Sequence, residues 1–284
     1  MAIYLRPESL DEALAALGAQ PLTVLAGGTD FYPARVGRPL DDDVLDITAL
    51  AGLREIRDSG DAWSLGAGVT WSDLLNAELP PCFDGFKAAA REVGGVQVQN
   101  AGTLVGNLCN ASPAADGVPN LLALDATVEL ASRDGRRSLP VADFVIGNRR
   151  TRRRPEELVT GLTIPKPGPE AASRFVKLGA RRYLVISIVM VALVVEPDAG
   201  RVGRARIAVG ACSPVAQRLP ELETALQGLP LDAALGEAVT ADHLRAALSP
   251  IDDVRASADY RWDAAETALR RGLSDIGAEL GRGS

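Results

Sequence analysis

Two loops built from small residues carry the chemistry this sequence offers. The first, Val24-Leu-Ala-Gly-Gly-Thr-Asp30, follows directly on an apolar run. The second, Gln99-Asn-Ala-Gly-Thr-Leu-Val-Gly-Asn107, continues into Cys109-Asn-Ala-Ser-Pro-Ala-Ala-Asp116. Each offers consecutive backbone N–H groups that glycine can turn toward one point, together with a threonine hydroxyl. Such concave nests bind phosphate oxygens. A larger side chain would hold the backbone away from the ligand. Two nests from distant parts of one chain can clamp a pyrophosphate from both sides, as a dinucleotide requires. Taken singly, either loop also reads as a tight turn, because Gly-Gly pairs are common in turns. Neither has the Gly-x-Gly-x-x-Gly spacing, so the Rossmann fingerprint is absent.

The rest of the inventory narrows the choice. The three cysteines, Cys82, Cys109 and Cys212, are scattered and odd in number. They do not form a disulfide framework, point to a reducing compartment, and are too few for an iron–sulfur cluster, which usually needs four thiolates. A single His243 argues against a zinc site. There is no Gly-x-Ser-x-Gly and no Walker A loop. With 30 Lys+Arg against 37 Asp+Glu, the formal charge is -7, which disfavours a general nucleic-acid binder. The longest apolar run, Leu184 to Val195, is too short for a membrane span of about 20 residues. The N-terminal stretch MAIYLRPESLDEAL has no apolar h-region, so no secretory signal is expected. The expected setting is the cytoplasm, with no membrane and no nucleic acid as partner.

Two loops so far apart need elements that bring them together. At roughly 150 residues per domain, a chain of 284 residues suggests about two domains. The pattern predicts a helix over Ser9–Leu17, with Ser9 and Glu12 as a capping box and Gly18 closing it. Strands are expected at 22–26, 44–47, 63–69, 126–131 and 159–164. Helices are expected at 71–77, capped by Thr70 or Ser72, and at 85–92. Asp134-Gly135 is a hairpin signal. The stretch Gly94–Pro119 shows little periodicity and reads as a long functional loop. Pro165–Glu170 is the linker candidate. Beyond it come three strands (173–178, 186–195, 205–211) and three helices (219–226, 241–248, 260–273). The order of elements predicts an α+β protein. The expected domains are 1–168, with parts at about 1–55 and 56–168, and 169–284.

The combination Ala26-Gly-Gly-Thr-Asp30, Gln97-Val-Gln-Asn-Ala-Gly-Thr-Leu-Val-Gly-Asn107 and Ala111-Ser-Pro-Ala-Ala-Asp116 resembles the FAD-binding medium subunits of the molybdenum hydroxylases, the xanthine dehydrogenase and carbon monoxide dehydrogenase type enzymes. Asp143-Phe144, Leu162-Thr-Ile-Pro165, Phe175-Val-Lys177 through Arg182, and Ile186-Ser-Ile-Val189 extend the resemblance over nearly the whole chain. It implies a vanillyl-alcohol-oxidase-like FAD-binding domain in two α/β parts, followed by a C-terminal domain with a three-stranded antiparallel sheet and helices. It implies FAD as cofactor, held by Leu25, Ala26, Gly27, Gly28, Thr29, Asp30, Ala101, Thr103, Gly106 and Asn107, with Asp116 and Lys177 also at the flavin. No residue of this chain is expected to be catalytic or to bind a metal. The implied function is that of an electron-transferring oxidoreductase subunit. Its partners would be a large molybdenum-cofactor subunit, a small [2Fe–2S] subunit, and NAD or another acceptor. The alternatives are a stand-alone flavin-dependent oxidoreductase and a non-catalytic docking module that retains the fold.

One departure bears on the last of these. Val105 stands where the second loop often has glycine, and a β-branched residue would be strained there at positive φ. Other candidates have two readings. Asp30 either contacts FAD or accepts backbone N–H groups to fix its turn. Asp116 reaches a ribose hydroxyl or caps a helix near Val118. The five arginines between Arg149 and Arg154 form a solvated surface or, by resemblance, a docking site for a partner or an anionic acceptor near the flavin. Arg181 and Arg182, beside Lys177, are candidates for tuning the flavin by charge. Cys109 is expected to be a packing residue and His243 a surface one.

Overall fold

The structure, a computed structural model, describes residues 2–282. The first unit is a parallel sheet in the order β1-β3-β2, from Tyr4–Leu5 (β1), Thr23–Leu25 (β2) and Val44–Asp46 (β3). Helix α1, Leu10–Ala19, covers it with Ala13, Leu14 and Leu17 buried. Ser9 and Glu12 form the expected reciprocal cap. Gly18 does not close α1. The helix runs one residue further and stops at Gln20, whose extended backbone is what a following proline demands. Strand β2 ends immediately before Ala26-Gly27-Gly28, so the first loop is aimed from the end of an edge strand of this sheet.

The second unit is an antiparallel sheet in the order β4-β5-β10-β6-β7. Its strands are Ile56–Asp58 (β4), Ala62–Gly66 (β5), Thr127–Ser132 (β6), Gly135–Pro140 (β7) and Leu158–Pro165 (β10). The hairpin expected at Asp134-Gly135 joins β6 to β7, with Ser132 opposite Gly135. Between β7 and β10 lie a short helix, Val141–Phe144 (α7), and a ribbon of Val145–Gly147 (β8) with Arg150–Thr151 (β9). Between β5 and β6 come Trp71–Asn76 (α2), capped by Thr70, and Asp84–Glu92 (α3).

The stretch 94–119 is not an irregular loop. It forms Val96–Ala101 (α4), Leu104–Asn110 (α5) and the start of Gly117–Ala123 (α6). Each has only six or seven residues, too few turns for a 3.6-residue period to show. Helices this short are held by packing rather than by propensity. All seven residues of α6 are buried.

The third unit is an antiparallel sheet in the order β11-β12-β13-β14. It has three long strands, Ala172–Leu178 (β11), Val189–Asp198 (β12) and Arg201–Gly210 (β13), and a two-residue edge, Gln217–Arg218 (β14). Strand β12 is apolar without a break from Val189 to Val195 because both faces of that stretch are covered. Val189, Val191, Leu193 and Val195 belong to one core with the C-terminal helices, while Ala192 and Val194 belong to the core of the first two units. Pro220–Leu226 (α8), Ala241–Arg245 (α9) and Ala258–Leu280 (α10) follow. Helix α10 outruns its expected end, because Leu269, Leu273 and Ile276 continue one buried face. No helix among the described residues is long and apolar enough to cross a membrane.

Helix α6 fastens the third unit to the second at both of its ends. At its start, Asp116 accepts from Lys177 Nζ of β11 and from Ser187 Oγ, both at 2.6 Å. At its end, the Leu122 and Ala123 carbonyls accept from Arg218 (3.0 Å) and Arg206 (2.8 Å). Arg206 is 4% exposed and also pairs with Glu196 at 2.6 Å.

Candidate cofactor cleft

The two small-residue loops meet. A methyl carbon placed on Gly27 would lie 1.8 Å from the Ala101 carbonyl oxygen and 2.9 Å from the Gly102 nitrogen. One placed on Gly102 would lie 3.2 Å from Thr29 Oγ1. The backbones are therefore in direct contact, and only glycine permits it. Gly28 has φ +69°, and a side chain there would run into the Tyr32 ring. Behind the first loop, the Leu25 carbonyl accepts from Ile47 N–H at 2.9 Å, and the Gly28 carbonyl from Tyr32 N–H at 3.1 Å.

The second loop is seated on the end of the second sheet. Leu104 N–H donates to the Val69 carbonyl at 3.0 Å, and Trp71 N–H to the Gly102 carbonyl at 3.2 Å. Thr103 then caps α5: its hydroxyl oxygen accepts from Gly106 N–H at 2.9 Å. This use leaves the hydroxyl proton for a ligand. Asn107 Oδ1 accepts from Gly117 N–H at 3.2 Å, tying α5 to α6.

Where the loops meet, the molecule holds a cleft of about 710 Å³. This suits a large organic cofactor. Of the twelve residues singled out from sequence, eleven line it: Leu25 through Asp30, Thr103, Gly106, Asn107, Asp116 and Lys177. Ala101 does not line the cleft. It stands behind Gly27, with its carbonyl against that residue. The cradle that a Cβ would fill, the positive φ at Gly28 and the capped start of α5 all fit a diphosphate-bearing cofactor.

Val105 sits in the first turn of α5, buried, and its φ is not positive. The strain expected of it is absent, because the helix takes up the residue that a looser loop would need as glycine. No side-chain hydrogen bond of Asp30 fixes its turn among the described residues. The turn is held instead by the Asp30 carbonyl, which accepts from Ala34 N–H at 3.2 Å.

Asp116 precedes α6 without capping it through its side chain. It is committed to Lys177 and Ser187, and all three side chains are nearly sealed from solvent. Burial pushes the Asp116 carboxyl up, against the pull of the Lys177 ammonium and the Ser187 hydroxyl. Lys177 also donates to the Glu92 carbonyl at 3.4 Å.

Of the five arginines at 149–154, Arg149 and Arg153 line the cleft, so the run is not wholly a solvated surface. Arg181 and Arg182 are exposed and outside the cleft wall. Arg181 donates to the Leu184 carbonyl at 3.2 Å, and Arg182 lies 5.2 Å from the Tyr183 ring centroid. Val185 and Ile186 of the same segment do reach the cleft. Cys109 lines it too, and burial pushes its thiol up to about 12, which suits a packing role. His243 is half-buried and closes the cap of α9 on Thr240.

Comparison with known proteins agrees with this geometry. The FAD binding domain in molybdopterin dehydrogenase matches residues 1–167, and the CO dehydrogenase flavoprotein C-terminal domain matches residues 174–276. The nicotine 6-hydroxylase medium subunit of Paenarthrobacter nicotinovorans is 30% identical, with 97% of each chain covered. The nicotinate dehydrogenase FAD-subunit of Eubacterium barkeri is 31% identical, over 96% of this chain and 95% of that one. Among solved structures, quinoline 2-oxidoreductase from Pseudomonas putida 86 superposes with a TM-score of 0.90 at 27% identity, covering 99% of this chain and 98% of that one. CO dehydrogenase from Oligotropha carboxidovorans gives 0.90 at 26% identity, with 98% of each chain covered. The α+β fold, the converging loops and the match of both domain models establish that this chain belongs to the FAD-binding medium subunits of the molybdenum hydroxylases, oxidoreductases of the xanthine and CO dehydrogenase family, with FAD as its cofactor.

Proposed function

We propose that this chain relays electrons within a molybdenum-containing hydroxylase, receiving them from [2Fe–2S] clusters of a small partner subunit and passing them to NAD or another acceptor. A large molybdenum-cofactor subunit would carry the substrate chemistry. The observation that carries the reading is the contact of Gly27 with Ala101 and Gly102 at the head of a cofactor-sized cleft. When bound, FAD supplies the exchange between one-electron and two-electron steps; the protein supplies binding, orientation and charge.

In this reading Leu25 to Asp30, with Thr103, Gly106 and Asn107, hold the FAD. Ala101 supports the clamp from behind. Lys177, oriented by Asp116, places a buried positive charge beside the cofactor. Three cysteines, with Cys82 and Cys212 buried, leave the clusters to another chain. Free thiols also support a reducing, cytoplasmic setting.

The test is purification of the tagged chain from its native cell. Two further chains should accompany it, one with molybdopterin and one with [2Fe–2S] absorbance. Adding the hydroxylase substrate should then bleach the flavin only in the assembled complex. A lone monomer that turns over a substrate by itself would overturn the proposal.

A further inference from the structure

The cations of the cleft wall are not equally matched. Arg35 grips Asp42 through two bonds of 2.5 and 2.7 Å, and Lys177 is paired with Asp116. Arg149 and Arg153 make no ion pair among the described residues. Arg153 Nη1 donates to the carbonyls of Glu157 (2.7 Å), Arg154 (3.1 Å) and Pro155 (3.3 Å). Arg149 Nη1 donates to the side-chain oxygen of Asn110. A guanidinium has five N–H groups, so both forks keep donors beyond these contacts.

Arg149 is held in place by an unusual backbone. Its φ is +57°, and its N–H donates at 2.8 Å to the carbonyl of Ala111, whose φ is +47°. A left-handed backbone at a non-glycine residue is disfavoured, and two of them bonded to each other mark a site whose surroundings over-determine it. Helix α5 explains the placement. It begins at Thr103, in the second loop, and ends at Asn110, which lines the cleft and holds Arg149. One short helix thus spans the stretch from the Thr103 cap to Asn110, about 10 Å at 1.5 Å per residue.

We propose that Arg149 and Arg153 form a phosphate-recognition site of the cleft, supplying the positive charge that the two small-residue loops lack. The proposal rests on the FAD reading and adds residues to it. The loops contribute backbone N–H groups and threonine hydroxyls but no positive charge, and Asp30 and Glu92 in the same wall carry negative charge. A cation without a carboxylate partner adds full positive charge to what those donors offer an entering diphosphate. Arginine matches phosphate oxygens with two parallel N–H bonds. The phosphate has two possible sources: the diphosphate of FAD itself, or a phosphate of a second ligand that meets the loaded protein.

The test uses the full chain, stripped of flavin, with R149Q, R153Q and the double variant. FAD and the uncharged probe riboflavin are titrated by flavin fluorescence at several salt concentrations. If the phosphates of FAD are the ligand, the double variant weakens FAD binding by about 30-fold or more at low salt. The salt dependence flattens and riboflavin binding stays unchanged. Arginine-to-lysine variants recover part of the loss, since charge returns without the fork. If FAD binding is unchanged but ADP binds the FAD-loaded wild type and not the double variant, the site serves a second phosphorylated ligand. If neither FAD nor ADP binding responds, the proposal is overturned. The R150Q/R152Q variant on the same ribbon, with matched melting temperatures, controls for folding and should leave every titration unchanged. A wild-type chain that takes up no FAD would instead sink the reading beneath the proposal, and ADP binding alone would then decide the arginines.

Discussion

The contact between the loops makes Gly27→Ala the most informative single change. The added carbon would sit 1.8 Å from the Ala101 oxygen and 2.4 Å from the Ala101 carbonyl carbon. Both are backbone atoms, so no rotamer relieves the clash. Moving the pair out to roughly 3.5 Å means opening the junction by about 1.7 Å. That distance exceeds what backbone N–H bonds to phosphate tolerate. Losing two such bonds to a charged group, at about 1.5–3 kcal/mol each, removes at least ~3 kcal/mol of binding, or about 100-fold in Kd. The overpacking itself should lower stability by about 1–3 kcal/mol. Flavin fluorescence titration gives the Kd, and urea denaturation of the flavin-free chain gives the stability, so the two losses are read separately. Gly52→Ala is the matched control: nothing lies within 4 Å of a carbon added there, and its backbone is not left-handed. It should change neither quantity by more than about 0.5 kcal/mol. A Gly27→Ala protein that binds FAD within threefold of wild type would refute the claim that loop contact builds the site.

Further expectations follow from the polar groups. Thr103→Val removes both the cap of α5 and a ligand-facing hydroxyl, and should cost about 1 kcal/mol of stability together with a loss of FAD affinity, whereas Thr103→Ser should retain both. Asp116→Asn strands the buried Lys177 ammonium and should destabilise the chain by about 3 kcal/mol in urea titrations at neutral pH. Asp253 is held at about 2: burial raises it, but the backbone N–H groups of Arg255 and Ala256 and the buried Arg261 outweigh that. Its folded value is depressed, so its contribution is complete above about pH 4 and is lost as pH falls through 2. Denaturation curves of wild type and Asp253→Asn, separated at pH 6 by about 1–2 kcal/mol, should therefore converge toward pH 2.

What sequence reveals here depends on the range of the cause. The first loop was legible because a β-strand, Gly-Gly and a threonine are contiguous, and the cap on α1 was legible because Ser9 and Glu12 are three residues apart. The helices within 94–119 were not, since each is set by what it packs on, such as Val69 and Trp71 under the second loop. Val105 looked strained because its neighbours suggested a turn, while the fold made it the second residue of a helix. Arg149 and Arg153 were hidden among five similar residues. What selects them is a left-handed residue on a ribbon and a bond to Asn110, 39 positions earlier. The charged contacts of Arg206 and Arg218 with the end of α6 span 83 and 96 positions and leave no local trace.

The fastening of α6 at both ends has a thermodynamic consequence. Whatever tightens around the carboxylate at its start is felt by the β-sheet that holds that carboxylate. Loading the flavin should therefore raise the melting of the entire polypeptide in one cooperative step, by the mass-action increment its affinity dictates. Conversely, amputating everything after the Pro165–Glu170 segment should abolish retention of the yellow chromophore, even though both glycine-bearing segments would survive the cut.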